Sequence, residues 1–215
     1  MDILHILEDY CSKNELDLIK FNAQEVVYSE GEKAKGVYFL KEGQVKVFKY
    51  DRERKPIFLW TARPGEPIGL VSFFQNTSLY CCTVKANHTE PSLYFLPNKV
   101  FLDLLNQHPE LKLKLLKRLC EGISFMEMRS KYFLFNSIDE RIIETLIFLA
   151  NREGEKKLNL RFEFSMKDFT EMVGASLGYI RKRVKNLKNK ELIDYGRNWL
   201  VINDLEKLKL ARNNF

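Results

Sequence analysis

The basic side chains of this chain are concentrated in one short stretch near its C-terminal end. Between Ser176 and Lys190 there are six Lys or Arg residues and no Asp or Glu. A local positive field of this kind attracts a polyanion such as DNA. The alternative is an ordinary solvated helix face, which charge alone does not exclude.

Two short helices joined by a tight turn are predicted to carry this basic stretch. Ser165 is a suitable N-cap for a helix that begins at Met166, and Gly174 is suited to end it in the left-handed conformation. Ser176 is a suitable cap for a second helix, whose apolar residues recur at helical spacing. These residues are Ile180, Val184 and Leu187. The pattern predicts a helix-turn-helix, whose second helix lies in the major groove of DNA.

The residues predicted to contact DNA lie on this second helix, at its cap and in the hairpin that follows. They are Ser176, Leu177, Gly178, Tyr179, Arg181, Lys182, Lys185 and Arg197. Arg or Lys pairs with guanine, and each good bidentate contact contributes about 1–3 kcal/mol of discrimination. Basic residues predicted to contact phosphates or to be solvated are Lys167, Arg183, Lys185, Lys188 and Arg197. Phosphate contacts fix the register and make affinity fall with salt.

A predicted hairpin follows the basic helix. Leu192–Tyr195 and Trp199–Ile202 have strand character, and Gly196, Arg197 and Asn198 separate them. Such a wing would bring Arg197 to a phosphate. The alternative is a three-helix domain that binds no nucleic acid.

The first hundred residues predict a different architecture. The first 20 residues have the apolar pattern of a helical lead-in, and short apolar runs then alternate with turn residues. The predicted strands are Glu25–Tyr28, Gly36–Lys41, Gln44–Tyr50, Pro56–Thr61, Leu79–Ala86 and Ser92–Leu96. Short strands at regular spacing predict an antiparallel barrel or sandwich.

A long helix is predicted to join the two regions. His108-Pro109 opens it, because Pro suits the first helical position, and the pattern continues to about Phe133. A seam with heptad spacing runs along it and predicts a dimer helix. Its residues are Leu119, Gly122, Met126, Arg129 and Phe133. The alternative is one amphipathic helix packed on its own barrel. A further amphipathic helix is predicted for Ile138 to Asn151.

Composition and cysteine usage narrow the functional classes. The formal net charge is +6, with 45% hydrophobic and 30% charged residues, and no apolar run approaches the roughly 20 residues of a membrane span. The N-terminus lacks the basic region of a signal peptide. Four cysteines without metal-ligand spacing predict free thiols in a reducing cytoplasm. The sequence contains no Ser/His/Asp set, metal-ligand cluster or phosphate-binding glycine loop, so it does not predict an enzyme.

Short motifs in a fixed order give the chain a family resemblance from about Val26 to Asn203. They are Glu30-Gly31-Glu32-Lys33-Ala34, Val37-Tyr38-Phe39-Leu40, Glu42-Gly43-Gln44-Val45-Lys46-Val47, Arg63-Pro64-Gly65-Glu66, Ile68-Gly69, His108-Pro109-Glu110-Leu111 and Val173-Gly174-Ala175-Ser176. On these motifs the chain resembles the Crp/Fnr family of bacterial regulators.

The resemblance implies an α+β fold with three parts. These are a double-stranded β-helix (jelly-roll) sensor domain like those that bind cyclic nucleotides over residues 1–107, a dimerisation helix over 108–135, and a winged helix-turn-helix domain over 136–215. It also implies a homodimer, a palindromic DNA operator and RNA polymerase as a further partner. Effector binding in such regulators shifts the dimer helix and reorients the DNA-binding domains.

The residues that bind cyclic AMP in this family are not kept. Leu70 replaces the Glu that holds the ribose, and Tyr80 replaces the Arg that holds the phosphate. Met126 and Glu127 stand where polar residues of the long helix contact the adenine. An unpaired buried anion is costly, so we expect no measurable affinity for cyclic AMP. The predicted effector pocket is Gly69, Leu70, Val71, Tyr80, Cys81 and Met126. Its apolar character fits an uncharged or lipophilic effector, or none, and the effector is unknown.

The sequence offers few residues for the iron–sulfur or haem cofactors that other sensors of the family use. An iron–sulfur centre needs an N-terminal cysteine cluster, and only Cys11 lies there. The histidines available to a haem are His5, His88 and His108, and we interpret His88 and His108 as structural. No cofactor is therefore predicted. Cys81 and Cys82 are either a redox pair or small buried hydrophobic residues.

The recognition helix departs from the cyclic-AMP branch as well. Leu177, Gly178 and Lys182 stand where Arg, Glu and Arg are typical, so a different operator is expected. A second hypothesis is a redox or small-molecule sensor that acts through protein–protein contacts and whose DNA-binding domain is vestigial. Salt-sensitive, sequence-selective DNA binding distinguishes the two.

Overall fold

The computed structural model divides the chain into two compact units, Met1–Gly122 and Ile123–Phe215. It describes residues 3–54, 56–75, 78–87, 90–135, 137–151 and 158–211. The first unit contains α1 (Ile3–Lys13), β1 (Leu18–Lys20), β2 (Val26–Tyr28), β3 (Gly36–Glu42), β4 (Val45–Tyr50), β5 (Pro56–Ala62), β6 (Pro67–Ile68), α2 (Leu70–Phe74), β7 (Thr83–Ala86), β8 (Ser92–Pro97) and α3 (Asn98–Gln107).

Two antiparallel four-stranded sheets build the first unit. Their strand orders are β1-β8-β3-β6 and β2-β7-β4-β5. Alternate residues of a strand face opposite sides of its sheet, and β3 has buried residues on both sides. Val37 and Phe39 of β3 form one core with α1 and α3, and Leu40 joins the core formed with Val45 and Val47 of β4.

Helix α4 (Pro109–Phe135) follows directly and contributes to both units. Leu111 and Leu115 near its start are buried in the core that α1 and α3 share. In the second unit, Phe125 stacks on Phe148 with ring centroids 4.0 Å apart. The predicted helix that begins at Pro109 is therefore confirmed, and it ends two residues beyond the predicted Phe133.

The second unit surrounds a core of its own. After α4 it contains α5 (Ile138–Asn151), β9 (Leu158–Glu163), α6 (Met166–Val173), α7 (Leu177–Asn189), β10 (Ile193–Tyr195), β11 (Trp199–Asp204) and α8 (Leu205–Ala211). The three strands form an antiparallel sheet in the order β10-β11-β9. Ile142, Leu146 and Phe169 are among the side chains buried between the helices and this sheet.

The predicted fold class is confirmed: a β domain, a long helix and a helix-turn-helix with a small sheet follow one another. Some details of the prediction were wrong. The helical lead-in ends at Lys13, and Leu18–Lys20 is a strand because it pairs with β8. The strand predicted from Leu79 begins at Thr83, since Leu79 forms only an isolated bridge to Lys33. His88, which we interpreted as structural, lies outside the described residues.

Candidate nucleic-acid interface

Helix α6 is fixed at both ends by local hydrogen bonds. The Ser165 hydroxyl accepts a bond from the Asp168 backbone N–H at 3.2 Å, and the Asp168 carboxylate accepts one from the Ser165 N–H at 2.9 Å. This reciprocal capping satisfies two donors that the first turn leaves unpaired. At the other end Gly174 has φ 69°, a left-handed conformation that favours glycine. The predicted start and end of this helix are confirmed.

Helix α7 is anchored by one face and exposed on the other. The Ser176 hydroxyl accepts a bond from the Tyr179 N–H at 3.4 Å and caps the helix. Its predicted apolar residues Ile180, Val184 and Leu187 are all buried in the second core. Because side chains repeat every 3.6 residues, Arg181, Lys182 and Lys185 are turned to solvent.

The exposed face of α7 is strongly basic. Among the residues that the structure describes, Arg181, Lys182 and Lys185 have no acidic partner within ion-pair distance. Lys188 differs, since its Nζ lies 2.6 Å from a carboxylate oxygen of Asp194. That hydrogen bond raises the pKa of Lys188 and lowers the pKa of Asp194. The unneutralised charge of Arg181, Lys182 and Lys185 therefore lies on the part of α7 that precedes Lys188.

Tyr179 and Arg183 hold α7 against α5. The Tyr179 hydroxyl donates a hydrogen bond of 3.1 Å to Asp139, and the Arg183 guanidinium forms an ion pair with the same carboxylate. The guanidinium also lies over the Tyr179 ring, 5.4 Å from its centroid. A hydrogen bond with Tyr179, followed by the charge of Asp139, raises the pKa of Arg183. These contacts give both side chains a structural role, and their contact with DNA stays a prediction.

The predicted hairpin is present and is anchored at its base. The Gly196 N–H donates a 2.9 Å hydrogen bond to the Trp199 carbonyl, which leaves Arg197 and Asn198 exposed at the tip. A Cβ at Gly196 would lie 2.4 Å from the Trp199 ring nitrogen, so the turn requires glycine. The Arg161 guanidinium lies 4.9 Å from the centroid of the Trp199 ring. The base of the hairpin is therefore held by a backbone hydrogen bond and by the packing of Trp199.

The remaining DNA-contact candidates lie at the exposed start of α7. Ser176 and Gly178 are exposed, and Leu177 is half-buried. A Cβ at Gly178 would meet no atom within 4 Å, which leaves open space above the helix at this position. The structure thus places Ser176, Leu177 and Gly178 with Arg181 and Lys182 on the first two turns.

In the first unit, Tyr80 of the predicted effector pocket is buried in a core cluster and only 4% exposed. Its ring stacks on Tyr28 with centroids 3.7 Å apart, and its hydroxyl donates a 2.9 Å hydrogen bond to the Gly36 carbonyl. Burial raises the pKa of Tyr80 to about 12, so this hydroxyl stays neutral. Gly69 has φ 87°, and a Cβ there would lie 3.0 Å from the Tyr80 ring. Sequence reasoning missed Tyr28, which is distant in the chain and carries no motif.

The other predicted pocket residues have different surroundings. Leu70 is buried, whereas Val71 is exposed on α2. Cys81 is half-buried, and its N–H donates a 3.1 Å hydrogen bond to the Ser72 hydroxyl. Met126 belongs to the second unit, where it is half-buried.

On α4, the exposed apolar residues lie one position beside those of the predicted seam, so the two sets follow neighbouring rows of the helix. Leu119 is half-buried against the first core, Gly122 is exposed, and the side chains of Arg129 and Phe133 lie outside the described residues. The exposed apolar residues are Leu113, Leu116 and Ile123, which are 57%, 56% and 59% exposed, together with the exposed Cys120. Their spacing is also three and four residues, a signal that the sequence contained.

Over the described residues, no group of three or more His, Cys, Asp or Glu side chains is arranged to hold a metal ion. His108 has a local partner, since its Nδ1 lies 3.1 Å from Glu110. A search of the described helices finds none that is both long and apolar enough to cross a membrane.

Comparisons with known proteins place both units among characterised domains. Residues 18–108 match the family model of the cyclic nucleotide-binding domain, and residues 140–211 match that of the Crp-like helix-turn-helix domain. The cAMP-activated global transcriptional regulator CRP of Salmonella typhimurium is 22% identical over 176 residues, which cover 81% of this chain and 83% of that protein.

Solved structures share the fold at low sequence identity. A mutant of CooA from Carboxydothermus hydrogenoformans aligns with a TM-score of 0.80 at 17% identity, covering 99% of this chain and 96% of that one. FixK2 of Bradyrhizobium japonicum aligns with a TM-score of 0.75 at 16% identity, covering 91% and 96%.

Proposed function

Because the chain belongs to the Crp/Fnr family of DNA-binding transcription regulators, we propose that it is a homodimer that recognises a palindromic operator and does not respond to cyclic AMP. Members of this family act by binding DNA and not by catalysis. The observation that carries the proposal is the outer face of α7, where Arg181, Lys182 and Lys185 are exposed above a buried apolar face.

The geometry of the second unit supports major-groove recognition. Helix α7 has 13 residues and is therefore about 20 Å long, and the major groove is wide enough to admit a helix. Its N-terminal turns carry Arg181 and Lys182, which suit the acceptors of guanine. Arg197 at the tip of the wing is suited to a phosphate, which fixes register rather than sequence.

The proposal is tested by selecting bound DNA from a random pool and measuring the affinity of the selected site by fluorescence anisotropy. We expect a sequence with two related half-sites, and an affinity that falls steeply with salt because phosphate contacts release counterions. A pool that stays random, or an affinity insensitive to salt, would contradict DNA recognition. That outcome would favour the alternative of a sensor that acts through protein–protein contacts.

The exposed apolar face of α4 supports the homodimer. Leu113, Leu116, Cys120 and Ile123 recur at alternating three- and four-residue spacing, as core positions of a two-helix coiled coil do. In a parallel pair each core residue faces its own counterpart. A second copy would therefore cover this face, and the predicted seam residues Leu119, Gly122, Met126 and Phe133 would lie beside it.

This arrangement gives Cys120 a testable position. If two α4 helices pack in parallel through this face, the two Cys120 residues lie within the roughly 7 Å Cα separation that a disulfide requires. Oxidation with copper phenanthroline is expected to give a covalent dimer on a non-reducing gel. Cys120→Ser should abolish that band, and Cys11→Ser should retain it because Cys11 is buried. A chain that sediments as a monomer and forms no covalent dimer would contradict the proposed interface.

The contacts of Tyr80 support an effector other than cyclic AMP. A bound cyclic phosphate needs a counter-charge, and the position that supplies it in the cyclic-AMP binders holds a neutral, buried phenol here. Titration calorimetry with cyclic AMP is therefore expected to show no binding heat. The Salmonella relative, whose name describes it as cAMP-activated, is the positive control. A clear micromolar isotherm would show this expectation to be wrong.

We further propose that the protein is located in the cytoplasm, where it has access to chromosomal DNA. We also propose RNA polymerase as a partner. An interaction with polymerase is tested by transcription in vitro from a promoter that carries the selected site. Activation or repression that needs the site would support this partner, and unchanged transcript levels would speak against it.

A further inference from the structure

Asp139, at the start of α5, binds two side chains of α7 at once. One oxygen of its carboxylate accepts the 3.1 Å hydrogen bond from the Tyr179 hydroxyl, and the other pairs with the Arg183 guanidinium. The guanidinium also donates to the Tyr179 hydroxyl at 3.4 Å, so the three side chains form a closed network. The side chains of Asp139 and Arg183 are 14% and 32% exposed, so solvent screens this ion pair only in part.

The first turn of α5 gives this network a firm support. The Ser137 N–H donates a 2.6 Å hydrogen bond to the Glu140 carboxylate, and the Glu140 N–H donates one of 3.3 Å to the Ser137 hydroxyl. This reciprocal capping fixes the turn that carries Asp139. One turn further on, Ile142 and Ile143 are buried in the second core. A movement of Asp139 would therefore disturb contacts that its own helix makes.

The spacing of the two bound residues restrains α7 in two directions. Tyr179 and Arg183 are four residues apart, so they lie on one side of the helix and about 6 Å apart along its axis. Hydrogen bonds are directional, whereas the apolar packing of Ile180 and Val184 in the core is not. The contacts of both residues with one carboxylate therefore oppose a rotation of α7 about its axis as well as a slide along it.

The network lies at the edge of the basic face of α7. Lys182 is three residues beyond Tyr179, so the two side chains are about 60° apart around the helix. A rotation of α7 that breaks the network therefore displaces Lys182 and Arg181 as well. Side chains that recognise a partner must be held within about 0.5 Å of their productive positions, and supporting hydrogen bonds supply that precision.

We propose that Asp139 is a positioning residue for operator recognition, which fixes α7 so that Arg181 and Lys182 meet base edges while Asp139 itself does not contact DNA. This inference rests on the proposed function, since it requires an operator whose bases α7 reads. Binding to random DNA makes no such demand, because contacts with phosphates carry no sequence information. The network should therefore matter for the choice of sequence and not for affinity in general.

Asp139→Asn is expected to act differently on the two kinds of DNA. It keeps the size of the side chain and removes the charge that pairs with Arg183. Affinity for the operator should fall because α7 is held less well, whereas affinity for random DNA should stay the same or rise because the protein gains positive charge. By fluorescence anisotropy, the ratio of the two affinities should fall about tenfold or more, which is the discrimination of one good base contact.

Two controls separate positioning from charge and from folding. Glu191→Gln makes the same change of charge at an exposed residue just beyond α7 and should keep the affinity ratio. In a Trp60→Phe background the fluorescence of Trp199 reports urea unfolding of the second unit, and Asp139→Asn should leave this unit folded where binding is measured. A parallel loss of both affinities on unfolding of this unit would assign Asp139 to folding alone, and an equal rise of both would assign it to charge. Either result would overturn the proposal.

A second comparison asks whether Asp139 acts through its two partners. In a chain with Tyr179→Phe and Arg183→Ala the network no longer exists, so Asp139→Asn should lower the affinity ratio no further. If Asp139→Asn has its full effect in this background as well, the carboxylate acts by another route and the proposal is wrong.

The wild-type chain separates this inference from the proposed function. A wild-type chain that prefers no DNA sequence would refute both. If the wild-type chain prefers its operator and Asp139→Asn keeps that preference in full, the proposed function stands and only the positioning role of Asp139 is overturned.

Discussion

Replacement of both Arg181 and Lys182 by Ala is expected to weaken binding to the selected operator by roughly 1000-fold. Each good base contact contributes about 1–3 kcal/mol, and a dimer presents these two side chains to two half-sites. Four contacts at the lower value sum to about 4 kcal/mol, which is close to a factor of 1000 in affinity. Both side chains are exposed, so the fold should be unaffected.

A loss of base recognition is distinguished from a general loss of DNA affinity by measuring the affinity for random DNA as well as for the operator. If Arg181 and Lys182 read bases, the double variant loses much more affinity for the operator than for random DNA. Lys185→Ala should instead weaken both by a similar factor and make the dependence on salt less steep. Lys99→Ala, at an exposed position of the first unit, is the matched control and should change neither. Equal losses of affinity for the operator and for random DNA would show that the two side chains contact phosphates and not bases.

The helix-turn-helix was predictable because its signals act over a few residues. The cap at Ser165, the left-handed Gly174 and the cap at Ser176 each settle one helix end through a hydrogen bond or a backbone angle within three residues. The apolar spacing of α7 then decides which face is buried. The basic residues occupy the remaining, outer face of this helix. The exposure of Arg181 and Lys182 could therefore be predicted without tertiary information.

Contacts between distant segments could not be derived in this way. Tyr179 and Arg183 both carry hydrogen-bond donors that could contact DNA. In the structure both side chains instead bind Asp139 on α5, a contact that the sequence alone does not reveal. In the first unit, the stacking of Tyr80 on Tyr28 depends on how β2 pairs with β7. Leu18–Lys20 becomes a strand because β8 offers an edge to it, although its own pattern is compatible with a helix.

Helix α4 illustrates a different limit. The apolar residues at its start follow two parallel rows that are one position apart, and heptad spacing fits both. Leu115 and Leu119 of one row pack against the chain's own first core, which leaves Leu116 and Ile123 of the other exposed. Spacing alone identifies a long packed helix, but the choice between its two partners requires the position of the barrel.

Phe169→Ala is expected to destabilise the second unit by about 3–5 kcal/mol. Phe169 is fully buried on α6, and its ring stacks on Phe164 with centroids 5.7 Å apart. Removal of the ring leaves a cavity beneath the helix-turn-helix, in addition to the lost burial of apolar surface. Domains are typically stable by only 5–15 kcal/mol, so the variant loses a large part of what keeps this unit folded.

The two tryptophans allow this effect to be assigned to one unit. Trp60 lies in the first unit and Trp199 in the second, so Trp60→Phe and Trp199→Phe backgrounds each report urea unfolding of a single unit by fluorescence. Phe169→Ala should lower the midpoint of the Trp199 signal and leave that of Trp60 in place. Phe74→Ala, at a side chain that is 54% exposed in the first unit, is the matched control and should shift neither midpoint measurably. Since the buried face of α7 rests on the same core as Phe169, operator binding measured at increasing urea should be lost at the Trp199 midpoint and not at the Trp60 midpoint. A variant that still binds the operator at urea concentrations above its Trp199 midpoint would show that α7 does not need this core, which would contradict the basis on which the DNA-binding face was assigned.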